Sequence, residues 1–132
     1  MCAKHPIVSN KYRGTTTYRE VLERLIQTAH EHQLIHYEED VATIMGLQGR
    51  GNHMAKETGH ILGEISEDEH NQDHPMLSAV VVRKTGKNKG IPGDGFFNLA
   101  ISLGKLGANA TDQEKKAFWQ NELNQVYEEW NS

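Results

Sequence analysis

The sequence predicts an α+β domain, mostly helical: a winged helix-turn-helix with a short sheet and extra terminal helices. Three observations lead there. Two helical stripes are joined by a glycine-rich turn, Gly46 to Asn52. One continuous apolar run, Met76 to Val82, has the length and composition of a buried strand. A basic, glycine-rich loop follows that run at the distance of a wing.

The elements follow in order. Residues 1–14 show no periodicity and are expected to form a flexible N-terminal tail, with 15–132 as a single domain. Thr17 and Glu20 have the spacing of a capping box, which predicts a helix over Tyr18 to His32 with Val21, Leu22, Leu25, Ile26 and Ala29 on one stripe. Leu34 to Tyr37 is a short extended segment, and Glu38 to Met45 a short helix. Gly46 and the Gly49-Arg50-Gly51-Asn52 cluster end it. Asn52 is the expected N-cap of a longer helix, His53 to His70, with Met54, Thr58, Ile61, Leu62 and Ile65 inward. Pro75 closes that region and the strand Met76 to Arg83 follows. A helix over Phe96 to Leu103 should stop at Gly104. Thr111 and Glu114 form a second capping box, opening an amphipathic helix that carries Phe118, Trp119, Leu123, Val126, Tyr127 and Trp130.

A chain of 132 residues fits one domain. Cys2 is the single cysteine, so neither an intrachain disulfide nor a cysteine zinc cluster is available. No apolar run reaches membrane-spanning length, and the opening residues lack a signal-peptide core. These points predict a cytoplasmic protein with no membrane partner. The net charge of −4 is unlike that of a general nucleic-acid binder. Its distribution is uneven, however. Glu64 to His74 holds five acids and no Lys or Arg, whereas Arg83 to Lys105 holds five cations and one acid, Asp94. One face can therefore be basic on an acidic molecule.

Several constellations bear on function. Arg50, Asn52, His53 and Lys56 stand at a helix start with the side chains that read base edges. The same residues also fit a solvated helix start. Arg83, Lys84, Lys87 and Lys89 suit phosphates, or simply an exposed loop. Gly90-Ile-Pro-Gly-Asp-Gly95 resembles an anion-cradling loop before a helix, without the Lys-Ser/Thr of a Walker A motif. It reads equally as a tight turn that packs Phe96 and Phe97. A pocket between this loop and the long helix would use His74, Ser78, Gly93, Asp94 and Gly95. His70 and His74, with Glu69 and Asp73 beside them, have helical metal-pair spacing, but no third ligand is fixed, so neither a metal nor a cofactor is expected. Ser78 lacks the GxSxG setting of a nucleophile. The aromatic stripe of the last helix reads as core, with a homodimer contact as the alternative.

Over His36 to Gly104 the arrangement resembles the DNA-binding domain of O6-alkylguanine-DNA alkyltransferases and the alkyltransferase-like proteins. His36-Tyr37-Glu38-Glu39, Gly49 to Leu62, and Pro75 to Phe96 carry the resemblance. It implies that Tyr37 lies near a DNA phosphate and that Arg50 faces the groove. The family's Pro-Cys-His-Arg motif is replaced by Leu77-Ser78-Ala79-Val80, so the implied activity is DNA binding without alkyl transfer. The leading expectation is thus a non-enzymatic DNA-binding protein using Tyr37, the helix-start set and the basic wing. The alternatives are a nucleotide or small-molecule binding or processing protein with a pocket at Gly90–Gly95, and an interaction module using the last helix.

Overall fold

The computed structural model describes residues 6–86 and 89–131. Its elements are α1 (Thr16–His30), β1 (Ile35–His36), a π-helical turn (Tyr37–Val41) running into α2 (Ala42–Ile44), and α3 (Gly51–Asn71). A 3-10 turn (Leu77–Val80), β2 (Val81–Val82), α4 (Asp94–Ser102) and α5 (Asp112–Glu129) complete the order. The architecture is mostly helical, with a two-stranded parallel sheet in which Ile35 pairs with Val81 and His36 with Val82. Among the described residues, no helix is long and apolar enough to cross a membrane.

The run Met76 to Val82 is the centre of the molecule, and all of it is buried. It is not one strand. Its first half forms the 3-10 turn, and only Val81 and Val82 pair. The reason is the supply of partners. A buried strand needs a ladder along its length, and β1 offers two residues. Three of the remaining amides find single partners. Met76 N donates to Glu122 Oε2 at 2.8 Å, Ser78 N to Ser66 Oγ at 3.0 Å, and Ala79 N to the Met76 carbonyl at 3.0 Å. Around this spine α1 buries Val21, Leu25 and Ala29, and α3 buries Ile61, Leu62 and Ile65. From α5, Trp119 and Val126 complete the core, with the Trp119 indole donating to the Ala79 carbonyl at 2.8 Å.

The expected N-caps of two helices are not the ones formed. α1 is capped by Thr15, whose hydroxyl accepts from the Tyr18 amide at 3.1 Å, rather than by Thr17. Gly14, at φ +82°, turns the chain so that Thr15 N reaches the Tyr12 carbonyl, and the first of three threonines becomes the cap. α3 begins one residue after Arg50, which has no side-chain cap bond, so Asn52 lies inside the first turn. The Thr111–Glu114 capping box forms as the sequence indicates. α4 also stops at its glycine: Gly104 is at φ +78° and Lys105 N returns to the Ala100 carbonyl at 2.9 Å.

Part of the segment expected to be a flexible tail is bonded to α3. Ile7 N and Val8 N donate to the Glu67 carboxylate, and the amides of Lys11, Tyr12 and Arg13 to Glu64. The Arg13 guanidinium donates to Asp68 and Glu67 at 2.9 Å each. The acid-rich face of α3 is thus a template for the N-terminal strap, which gives its backbone donors partners without a sheet.

Candidate functional site

A cavity of about 410 Å³ opens between α3, the π-turn and the start of α4. Met54, Leu62, Phe96 and Leu99 form its apolar wall. Gly59 and Gly63, one turn apart on α3, line it as well, and a Cβ added at Gly59 would meet no atom within 4 Å. The helix is therefore recessed there. Tyr37, Ser78, Arg83 and the Gly93-Asp94-Gly95 segment form the polar side.

Each polar group is placed by its element. The π-turn puts the Tyr37 ring inward, where its hydroxyl accepts from Gly93 N at 3.0 Å. Burial pushes the Tyr37 phenol up to about 12, so it remains a neutral hydroxyl at physiological pH. Ser78, 3 % exposed, receives a 2.6 Å bond from the Ser66 hydroxyl, which is itself held by the Ser78 amide. Arg83 follows β2 directly. Its amide donates to the Ile91 carbonyl and its carbonyl accepts from Gly90 N, so the loop closes on this residue. Its guanidinium lies against Gly93, where an added Cβ would stand 3.2 Å from Nε and 3.3 Å from Nη2. A side chain at Gly93 would make the guanidinium give way by a few tenths of an ångström. Glu38 borders the cavity and ties the loop down, accepting from Lys84 N at 3.2 Å and Thr85 Oγ1 at 3.4 Å.

Of the five residues expected around the Gly90–Gly95 loop, Ser78, Gly93, Asp94 and Gly95 line this one cavity. His74 does not. Helix α3 ends at Asn71 and Asp73 adopts φ +64°, which turns His74 toward Glu69 (Nδ1 to Oε1, 3.0 Å) and the Trp130 ring. His70 and His74 consequently share no helix face. Among the described residues, no histidine or cysteine lines the cavity. Among the described residues, the group with metal-ligand spacing is His36, Glu39 and Asp40, outside the cavity. Asp40 is paired there with Arg24 and Glu39 with Lys84.

The residues expected at DNA fall on the π-turn, around the start of α3 and on the loop after β2. Arg50, Asn52, His53 and Lys56 are exposed around the start of α3. Tyr37 and Arg83 belong to the cavity, Lys84 is ion-paired with Glu39, and Lys89 is exposed. Lys87 lies outside the described residues. On α5, Trp119 and Val126 are in the core, while Phe118, Leu123, Tyr127 and Trp130 pack half-buried against it.

Glu38, Met54, Gly59 and Leu62 were not identified from sequence as cavity residues. The legible signal was Gly59 with Gly63, since glycines inside a helix mark either close approach or open space. The chain matches no protein-family model, no curated protein and no solved structure.

Proposed function

We propose that the protein binds a small molecule in the cavity between α3 and the Gly90–Gly95 loop. One observation carries this reading: residues from four elements and the loop after β2 meet around a recess of about 410 Å³, with one apolar and one polar wall. Binding sites for small molecules have that size and that division. Gly59 leaves open space that a side chain would fill, whereas a side chain at Gly63 would meet Val8 of the strap. Binding is favoured over catalysis because Ser78 on the wall is bonded to Ser66, and no histidine lines the cavity among the described residues. The test is a thermal-shift screen of the full chain against nucleotides, nucleosides and small organic acids, repeated with Gly59→Leu. The side chain at 59 enters open space. It should preserve the fold and remove any ligand-induced shift. Ligand shifts that persist in Gly59→Leu would place binding elsewhere.

A second reading is non-enzymatic DNA binding, with α2, the turn and α3 as a helix-turn-helix and the loop after β2 as a wing, as in alkyltransferase-like proteins. It is favoured by the four exposed polar side chains, Arg50, Asn52, His53 and Lys56, at the start of a 21-residue helix. Fluorescence anisotropy with duplex DNA at two salt concentrations tests it. Arg50→Glu with Lys56→Glu should weaken binding and flatten its salt dependence. Equal affinity in the double variant removes this reading.

A further inference from the structure

The polar wall of the cavity has a chemical bias that identifies its ligand more closely. The Tyr37 hydroxyl accepts from Gly93 N, and its own hydrogen has no acceptor among the described residues. Ser78 Oγ is in the same position, because Ser66 donates to it. The Arg83 guanidinium forms no ion pair or hydrogen bond among the described residues, although it is half-buried. The amides of Asp94 and Gly95 are first-turn donors of α4, which helix geometry leaves without partners. Donors therefore outnumber acceptors on this wall. Two carboxylates, Glu38 and Asp94, also border the cavity and bring negative charge to it. Glu38 accepts from Lys84 N and Thr85, Asp94 is exposed at the rim, and neither is bonded to Arg83 among the described residues, which leaves the guanidinium fork for a ligand.

We infer that the cavity takes an oxyanion, a phosphate or a carboxylate, at the Tyr37, Ser78 and Arg83 wall, with the apolar remainder of the ligand against Met54, Leu62 and Phe96. The inference rests on the small-molecule reading above. An oxyanion offers several acceptor lone pairs to several fixed donors, and guanidinium presents a planar fork matched to it. Tyr37 and Ser78 remain neutral, so they add directed hydrogen bonds without a second positive charge. The burial of the Tyr37 phenol, which keeps it protonated, supports this role.

Isothermal titration of the full chain separates the possibilities. The probes are inorganic phosphate, adenosine monophosphate and benzoate, with adenosine and benzamide as uncharged counterparts. The expected result is that at least one anion binds, and binds about tenfold or more tightly than its neutral counterpart, the factor a charge-assisted hydrogen bond supplies. Phosphate and carboxylate arms show which oxyanion is preferred. Arg83→Gln should weaken that binding by a similar factor, and Arg83→Lys less. In the unmodified protein, the amide resonances of Asp94 and Gly95 should shift on titration with the anion, a readout independent of how the variants fold. If adenosine or benzamide binds as tightly as its charged partner, or the Asp94 and Gly95 resonances stay fixed at anion saturation, the oxyanion assignment is overturned while the cavity stands. If anion binding is unchanged in Gly59→Leu, the cavity reading falls with it. Absence of binding by every probe overturns the oxyanion assignment outright.

Discussion

Gly49 shows how much one residue can depend on chain far from it in sequence. A Cβ at this position would stand inside van der Waals contact with the Glu38 carbonyl oxygen, a backbone atom that cannot rotate away. Gly49→Ala should therefore cost about 1–3 kcal/mol in urea unfolding, the usual range for overpacking. The turn containing Gly49 is plain in the sequence, but the collision with Glu38 is not, because it depends on how the π-turn folds back. Gly59 behaves oppositely. Its Cβ position is open and its helix runs unbroken from Gly51 to Asn71. Gly59→Ala should raise stability by about 0.5–1 kcal/mol, through lower chain entropy when unfolded, and a rise in Tm measures it.

Among the elements, the N-terminal strap and the central run departed furthest from their sequence signals. Nothing in residues 6–14 suggests an ordered segment, since periodicity reports only on faces that meet a core. The strap is held instead by carboxylates projecting from α3, and sequence distance hides that match. Arg13 is its anchor, bridging Glu67 and Asp68 with its side chain 18 % exposed. Arg13→Ala should cost about 3 kcal/mol, since it strands buried carboxylates without their cation. Chemical unfolding of the full chain measures it. The central run depends on a second buried pair. Glu122, 2 % exposed, holds both the Lys105 ammonium and the Met76 amide. Lys105→Met should destabilise by a similar amount, whereas Glu122→Gln with Lys105→Met, which removes the stranded charge, should recover part of the loss. A thermodynamic cycle across the four proteins checks this.

At the scale of the whole molecule, acid should release the strap before it unfolds the core. Lys11 and Tyr12 hold the Glu57 carboxyl at about 2, against an ordinary value of 4.5. Burial would raise Glu67, but the Val8 and Ile7 amides and Arg13 outweigh it and hold this carboxyl low as well. Both groups have folded values depressed below the unfolded ones. Their contribution is complete above the ordinary carboxylate value and is lost as pH falls through the depressed one. The Tyr12 ring resonances, reporting on Glu57, should therefore shift between about pH 4.5 and 2, and the Val8 amide, held by Glu67, should move toward its random-coil position as pH falls below the ordinary carboxylate value, while the Trp119 indole, bonded in the core, keeps its shift. Local chemistry in the chain was enough to indicate the helices, the Thr111 cap, the Gly104 stop and the burial of Met76 to Val82, because each reports on neighbours a few residues away. Four residues of the Gly90–Gly95 site were also legible, through glycine spacing and the position of Ser78. Placement of Tyr37 and Arg83 against Gly93, the removal of His74, and the choice of 3-10 turn over strand came only with folding. Each depends on which distant group offers a hydrogen-bond partner or leaves a space, and those partners are set by packing across the core.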